Sequence, residues 1–182
     1  MILDVLAEVA RALDDAQVPW MLAGSHASTF HGVPRATNDI DVVVDLPGKR
    51  IPDLAARLPS SRWYLDQAVA LESILSQRPF NVIDEHTGVK IDFMPLKRRP
   101  FSRSEFDRRV RVQYGSASVW VATVEDTILA KLEWSKKSGG SERQLRDVAG
   151  LVEAWGDRLD RSYLESWLDE LGVRAAWLSV RQ

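Results

Sequence analysis

The feature that most constrains the fold is a short run of β-branched residues with two aspartates at its start. Residues 39–45 read DIDVVVD, and valine and isoleucine favour the pleated, half-buried surface of a β-strand, whereas aspartate is depleted in strands. Residues i and i+2 of a strand point to the same face. Asp39 and Asp41 would therefore project two like charges side by side from a core-forming strand.

The composition is that of a globular chain. Hydrophobic residues make up 45% and charged residues 27% of the 182 positions, which is enough to bury one core of ordinary size. The formal net charge of −2 argues against general attraction to nucleic acid, although a local basic patch is compatible with it. Because the chain has no cysteine, any metal would have oxygen or imidazole ligands.

The sequence carries no sign of export or membrane insertion. Its first 17 residues contain acids every few positions, unlike a signal peptide. No apolar run approaches the roughly 20 residues that span a bilayer. We therefore predict a soluble, cytoplasmic protein without a membrane partner.

The hydrophobic pattern predicts strands and helices in mixed order over the first two thirds of the chain. Apolar residues at helical spacing indicate a first helix that ends near Gln17, and residues 18–24 then form a short buried strand. A short helix follows Gly24, and the strand that begins at Asp39 comes next. Further helices are expected at 51–58 and 67–76, and β-hairpins at 80–96 and 108–123.

The last third of the chain has a purely helical pattern. A capping box starts at Thr123, glycines interrupt the pattern near residues 136–142, and helices resume from Ser141. We therefore predict an α+β protein with two parts. A mixed α/β core covers residues 1–122, and a helical region packed on that core covers residues 123–182.

Gly24 and Ser25 lie at the turn between the first strand and the short helix. Free backbone N–H groups and the helix dipole at such a turn suit a phosphate. Glycine lets the backbone approach closely, and the serine hydroxyl adds a donor. The same pair also fits an ordinary turn with a helix N-cap, so these two residues alone do not decide between the two interpretations.

A third acid comes from the hairpin at residues 80–96. Hydrophobic residues alternate along its second strand, so Lys90 and Asp92 share the face that does not enter the core. If this strand lies beside that of Asp39 and Asp41, three carboxylates repel one another, and a bound divalent cation reverses that effect. The alternatives are a solvated strand end and a surface pair of Lys90 with Asp92, worth about 0–1 kcal/mol.

These segments together carry a family resemblance. Residues 23–45, AGSHASTFHGVPRATNDIDVVVD, place Gly-Ser before a short helix and D-x-D after it, and VKIDF at residues 89–93 supplies the third aspartate. This resembles the polymerase-β-type nucleotidyltransferase superfamily. The Arg-x-Thr-x-Asp-Ile-Asp pattern from Arg35 is closest to AbiEii-like and minimal bacterial members. The resemblance covers about residues 20–173 and is weakest over residues 49–78.

The resemblance implies a fold and a set of site residues. The fold would be a mixed β-sheet flanked by helices, followed by a helical region. The catalytic carboxylates, which would bind two Mg²⁺ ions with Mn²⁺ as an alternative metal, are Asp39, Asp41 and Asp92. Asp92 would also help to take the proton of the acceptor hydroxyl. The residues that would contact nucleotide phosphates are Gly24, Ser25, Lys90 and Lys131.

Two further residues would have auxiliary roles. Arg35 is expected to brace the loop before Asp39, and Asp147 lies where AbiEii-like proteins show a basic residue followed by aspartate. Lys131 has an alternative, since on a helix surface it could simply pair with Glu125 or Asp126.

The implied activity is transfer of NMP from an NTP to an acceptor hydroxyl with release of pyrophosphate. The acceptor would be RNA such as tRNA, a partner protein or a small molecule such as an antibiotic. AbiEii-like relatives also imply a toxin–antitoxin or defence role, in which an antitoxin restrains the enzyme. The alternative from another class is a nucleotide-binding or interaction module with the same fold and no turnover.

A basic run follows the strand of Asp92. Residues 97–111 contain seven basic residues and two acids. Such a run either receives an RNA backbone or is an ordinary solvated surface. The basic residues are Lys97, Arg98, Arg99, Arg103, Arg108, Arg109 and Arg111.

Overall fold

A mixed sheet of seven strands lies at the centre of the protein in the computed structural model, which describes residues 2–180. The strands are β1 (Trp20–Leu22), β2 (Asp39–Val44), β3 (Trp63–Tyr64), β4 (Phe80–Asp84), β5 (Val89–Pro95), β6 (Val110–Tyr114) and β7 (Ala117–Val121). Their order across the sheet is β3-β4-β5-β2-β1-β7-β6. The central strand β2 pairs in parallel with β5 and antiparallel with β1.

Helices flank this sheet and form the last third of the chain. They are α1 (Ile2–Asp15), α2 (Gly24–Phe30), α3 (Ile51–Ala55), α4 (Gln67–Leu75), α5 (Pro100–Asp107), α6 (Val124–Lys137), α7 (Glu142–Trp155), α8 (Arg161–Leu171) and α9 (Arg174–Ser179). α1 packs on β7, and α2 lies between β2 and α6. The predicted α+β fold, with a mixed sheet flanked by helices, is confirmed.

Local sequence signals explain where most helices begin and end. Buried residues recur along α1 at intervals of three and four, and Gln17, at a φ of +54°, follows the end of that helix. At the start of α6, the Thr123 side chain accepts a hydrogen bond from the backbone N–H of Asp126 at 3.2 Å. α7 begins after Ser141, as predicted, but without a side-chain cap.

The structure contains elements that the hydrophobic pattern did not predict. α5 lies inside the basic run. Its two buried phenylalanines, Phe101 and Phe106, stand among charged residues that obscure the apolar pattern in the sequence. Pro100 at its first turn is a helix-start signal that could have identified it. The other two elements, β3 and α9, are too short to show a period.

Buried apolar side chains form two main clusters. One lies between α1 and the sheet and includes Leu6, Leu13 and Ile40. The other joins the helices from α5 onward around Ile128 and Leu164. The division of the chain at residue 122 stays a prediction, because α5 precedes that residue yet packs in the second cluster. Within residues 2–180, no helix is both long and apolar enough to cross a membrane.

Most arginines of the basic run at residues 97–111 connect elements of the fold, while Lys97 and Arg98 are exposed. Four of its arginines contact carboxylates elsewhere in the fold: Arg99 with Glu133, Arg103 with Asp45, Arg108 with Asp126, and Arg111 with Asp14. The guanidinium of Arg109 lies over the rings of Phe106 and Trp120. The arrangement therefore gives little support to an RNA-binding role for this run.

Glu105, an acid of the same run, is buried on α5. Burial and then the negative charge of Asp126 raise the pKa of Glu105 to about 8, while Arg99 and Lys97 offset part of this effect. The native protein therefore holds a proton on this carboxyl at neutral pH, where the unfolded chain does not.

Replacing Glu105 with glutamine is expected to remove part of the pH dependence of stability. Because the folded pKa lies above the unfolded value of 4.5, the contribution of Glu105 to stability is greatest below the unfolded pKa. That contribution falls as pH rises toward 8, by at most about 1.4 kcal/mol per pH unit. Urea unfolding at pH 5, 7 and 9 should show that the free energy of unfolding of Glu105→Gln increases relative to that of the wild type as pH rises. Asp107→Asn, which neutralises an exposed carboxylate of the same run, is the matched control. Parallel pH profiles of wild type and Glu105→Gln would contradict the prediction.

Candidate active site

Parallel pairing of β2 and β5 places four charged residues on one face of the sheet. In the register, Asp41 lies beside Asp92, and Asp39 lies beside Lys90. The intervening residues of both strands, such as Ile40, are fully buried, so the charged side chains project from the opposite face. The adjacency on which the three-carboxylate cluster depended is therefore present in the fold.

Lys90 lies between two of these acids. Its Nζ is 3.0 Å from Asp92 Oδ2 and 3.7 Å from Asp39 Oδ1, and the hydrogen bond to Asp92 is the main reason that the pKa of Lys90 is raised. The Lys90–Asp92 pair, which the sequence offered as an alternative to a metal site, is thus present. Since the Asp39 side chain is 53% exposed and that of Asp92 23%, solvent reaches this part of the site.

Asp41 is the most enclosed of the three carboxylates, and it faces the start of α2. Its backbone carbonyl accepts a hydrogen bond from Ala23 N–H at 2.9 Å. Burial, followed by the charge of Asp92, raises the pKa of the Asp41 carboxyl, and the backbone N–H of Ser25, which faces the carboxylate, acts in the opposite direction. Asp41 therefore carries a charge that its surroundings only partly compensate.

Gly24 is required by the position of Asp41. Its φ is +58°, and a Cβ at this residue would lie 2.7 Å from Asp41 Cγ and closer still to a carboxylate oxygen. α2 begins at Gly24, with Ala23 in the cap position and no side-chain cap. The alternative interpretation of Gly24 and Ser25 as a turn with a side-chain N-cap is therefore wrong, and the start of α2 already faces one anionic group of the protein itself.

Lys131 and Asp147 form a buried ion pair between α6 and α7. Lys131 Nζ is 2.7 Å from Asp147 Oδ2 and 3.2 Å from Gln144 Oε1, and both charged residues are buried. Burial lowers the pKa of Lys131, and the hydrogen bond to Asp147 acts against that. The alternative pairing of Lys131 with Glu125 or Asp126 is wrong, because the cation beside those two acids is Arg108.

The ion pair belongs to the same region as the sheet carboxylates. The charges of Lys131 and Asp41 are close enough for each to shift the pKa of the other, and Arg35 also lowers the pKa of Lys131. Arg35 itself donates from Nη2 to the Ser25 hydroxyl oxygen. The structure therefore gathers all the predicted site residues around α2, the β2–β5 pair and α6, while their roles stay predictions.

A Lys131→Met substitution is expected to destabilise the fold by about 3–5 kcal/mol, because it leaves Asp147 buried without its partner. A Lys131→Met/Asp147→Leu double variant should recover most of that loss, since it removes both charges. Urea unfolding measures both effects. Arg78→Met is the control, because Arg78 forms an exposed pair with Glu72 worth at most about 1 kcal/mol. Equal stability of Lys131→Met and the wild type would show that the pair contributes nothing.

Two site residues were missed by sequence reasoning. Asn81 on β4 lies directly opposite Asp92 on β5. The hairpin loop could have given this register, because Asp84 pairs with Val89 beside the loop. Counting three residues back along β4 and three residues forward along β5 then pairs Asn81 with Asp92. Gln144 contacts Lys131 from α7, and no signal in the sequence pairs these two positions.

Comparison with known proteins supports the fold through structure alone. No protein-family model matches the sequence, and no curated protein matches it. The antibiotic-resistance factor ANT(2'')-Ia superposes with a TM-score of 0.58 at 14% identity, covering 97% of this chain and 94% of its own.

Two other solved structures give the same result. An antigenic nucleotidyltransferase-like protein from Paracoccidioides brasiliensis has a TM-score of 0.54 and 16% identity, over 98% of this chain and 91% of its own. TM1012 from Thermotoga maritima, a nucleotidyltransferase candidate, has a TM-score of 0.53 and 16% identity, over 93% of each chain. The fold of this chain is therefore the nucleotidyltransferase fold.

Proposed function

We propose that this protein is a metal-dependent nucleotidyltransferase that moves NMP from an NTP to an acceptor hydroxyl. The observation that carries the proposal is the placement of Asp39, Asp41 and Asp92 on one sheet face, beside the start of α2, within a nucleotidyltransferase fold. The acceptor oxygen bonds to the α-phosphorus, the bond from that phosphorus to the oxygen bridging to the β-phosphate breaks, and pyrophosphate leaves.

The donor set suits a hard divalent cation. All three candidate ligands are carboxylates, which Mg²⁺ prefers together with water and phosphate oxygens, and Mn²⁺ accepts the same ligands. The raised pKa of Asp41 and the Lys90 ammonium beside Asp39 and Asp92 both indicate a site that favours positive charge. Within residues 2–180, no three acidic or histidine side chains are close enough to share one ion. Because Lys90 Nζ lies 3.7 Å from Asp39 and 3.0 Å from Asp92, a cation bound by both acids would require this ammonium group to move away.

The residues of the chain then divide the work. Asp39, Asp41 and Asp92 would hold the metal, which when bound neutralises charge on the phosphates and orients the attacking and leaving oxygens. Asp92, which is partly exposed, would receive the proton of the acceptor hydroxyl. Most of the catalytic effect would come from positioning and charge neutralisation, as in other phosphoryl transfers.

A small-molecule hydroxyl is the first acceptor class to test. ANT(2'')-Ia has been crystallised in complex with adenylyl-2''-tobramycin, an adenylylated small molecule, and its fold spans nearly all of this chain. In contrast, the arginines of the basic run at residues 97–111 are largely paired within the protein. The other acceptor hypotheses are RNA and a partner protein. A toxin role restrained by an antitoxin is a separate hypothesis about the biological role of the transfer.

The proposal is tested by incubating the protein with α-labelled NTPs, Mg²⁺ and either aminoglycosides or a cell lysate. We expect label in an acceptor and release of pyrophosphate, both lost by at least about 100-fold in Asp39→Asn and Asp92→Asn. Asp45→Asn is the control, because Asp45 lies beyond the end of β2 and contacts Arg103. Nucleotide binding without transfer to any acceptor would favour the binding-module alternative, and absence of nucleotide binding would refute both.

A further inference from the structure

The sheet face that carries the three candidate metal ligands continues across two more strands to the edge of the sheet. Asn81 on β4 pairs with Asp92, and Ile83 pairs with Lys90. On the edge strand β3, Tyr64 pairs with Ile83. Residues paired directly across two strands have their side chains on the same face. The β3–β4 strip, made of Tyr64, Asn81 and Ile83, is therefore a continuation of the face of Asp92.

The β3–β4 strip is open to solvent. Tyr64 is 51% exposed, Asn81 is exposed and Ile83 is half-buried, whereas the alternate residues Trp63 and Val82 are buried in the core. In the described part of the chain, no other side chain contacts the Asn81 amide by a hydrogen bond or the Tyr64 ring by stacking. Both side chains are therefore available to a ligand.

The position of the strip relative to α2 determines which substrate it meets. Two rings on α2, those of His26 and Phe30, contact Tyr114 on β6, so α2 lies toward the β6 edge, whereas β5, β4 and β3 lie on the other side of β2. In the proposed reaction pyrophosphate leaves beside the start of α2, and the attacking hydroxyl enters in line from the opposite side. The acceptor would therefore approach over β5, where Asp92 would receive its proton, and extend onto the β3–β4 strip.

We propose that the β3–β4 strip binds the acceptor, with the Asn81 amide hydrogen-bonded to its hydroxyl groups and the Tyr64 ring packed against one of its rings. The inference rests on the proposed function and names the substrate class, which is a neutral or positively charged small molecule with hydroxyl groups and at least two linked rings. Neighbouring strands are about 4.8 Å apart, so Tyr64, two strands from Asp92, lies more than one sugar ring away from it.

The charges of this face favour such an acceptor over RNA. In the described rows that run from β2 to β3, the single cation is Lys90, and it already pairs with Asp39 and Asp92. An RNA backbone would require unpaired lysine or arginine side chains. In contrast, the Asn81 amide both donates to and accepts from hydroxyl groups. The Tyr64 ring offers a flat apolar surface that also attracts an ammonium group.

The test measures NMP transfer by the full chain with Mg²⁺, α-labelled NTPs and either tobramycin or the small-molecule, RNA and protein fractions of a cell lysate. For the small molecule that takes the label, we expect Asn81→Val and Tyr64→Thr each to raise the amount of acceptor needed for half-maximal labelling by about 3- to 10-fold. Both replacements favour strands, and the affinity for NTP, measured by isothermal titration, should not change. Two controls should behave as the wild type does. They are Tyr64→Phe, which keeps the ring, and Gln113→Ala, which removes an exposed amide on the opposite edge strand β6.

The outcomes separate this inference from the proposed function. Label in RNA or protein alone would overturn the inference and leave the proposed function standing. An unchanged acceptor requirement in either Asn81→Val or Tyr64→Thr would also overturn it, and so would a loss of NTP affinity in both, which would assign the strip to the nucleotide. If the wild type transfers label to no acceptor, the proposed function fails together with the inference. Melting temperatures check folding, and Asn81→Ala or Tyr64→Val, with the same expected result, replaces a variant that does not fold.

Discussion

An Asp41→Asn variant is expected to lose the proposed NMP transfer by at least about 100-fold, and its metal-free form is expected to melt at a higher temperature than the wild type. The loss of transfer follows from removal of the most enclosed carboxylate of the proposed metal site. The gain in stability follows from the raised pKa of Asp41, since the ionised carboxyl is disfavoured by burial and by Asp92.

The sign of the stability effect can be worked out from that shift. Asp41 has a higher pKa in the folded protein than in the unfolded chain, so its contribution is most favourable below the unfolded pKa. That contribution is lost as pH rises through the folded pKa. The advantage of Asp41→Asn should therefore be largest at neutral pH and should shrink as pH approaches 4.

Melting curves with EDTA and with excess Mg²⁺ and nucleotide check this prediction. Ligands that bind only the folded state stabilise it by mass action. Mg²⁺ and nucleotide should therefore raise the melting temperature of the wild type and leave that of Asp41→Asn unchanged. Asp45→Asn, outside the site, controls for loss of one negative charge. If Asp41→Asn melts lower than the wild type in EDTA at neutral pH, the charge of Asp41 is stabilising, and the influence of Lys131 then exceeds the burial penalty.

The sequence was sufficient to predict the local parts of this site, because those depend on short-range periodicity. The two-residue period of β2 and β5 correctly separated the side chains of Asp39, Asp41 and Asp92 from the buried faces of their strands. It could not predict that β2 and β5 are parallel neighbours, since strand order depends on packing among distant segments. That step came from resemblance to a family.

Contacts that depend on three-dimensional approach were beyond sequence reasoning. The pairing of Lys131 with Asp147 requires the crossing of α6 and α7, and helix spacing alone pointed to the wrong acids. The helix α5 was hidden because seven basic residues dominate its neighbourhood, although its buried phenylalanines hold it in place. Glycine at residue 24 suggested a close approach, but the sequence did not reveal that Asp41 is the group that approaches.

Replacing Gly24 with alanine is expected to destabilise the protein strongly and to abolish the proposed NMP transfer. An alanine at a φ of +58° costs about 1–2 kcal/mol from backbone strain alone, and its Cβ would also overlap the Asp41 carboxylate. Gly88→Ala is the matched control, because Gly88 has a φ of +72° and an alanine Cβ there would have no neighbouring atom within 4 Å. Urea unfolding should show a clearly larger loss for Gly24→Ala than for Gly88→Ala.

A double-mutant cycle isolates the overlap with Asp41 from backbone strain. In an Asp41→Ala background the carboxylate is gone and only the Cβ of residue 41 remains, 3.0 Å from the added methyl group, so Gly24→Ala should cost much less than in the wild type and only somewhat more than Gly88→Ala does. An equal cost of Gly24→Ala in both backgrounds would show that Asp41 does not require glycine at this position. If instead glycine is needed only for approach of a phosphate, Gly24→Ala would lose nucleotide binding while its stability matches that of Gly88→Ala. The cycle therefore decides whether residue 24 is a glycine because of the protein's own carboxylate or because of the substrate.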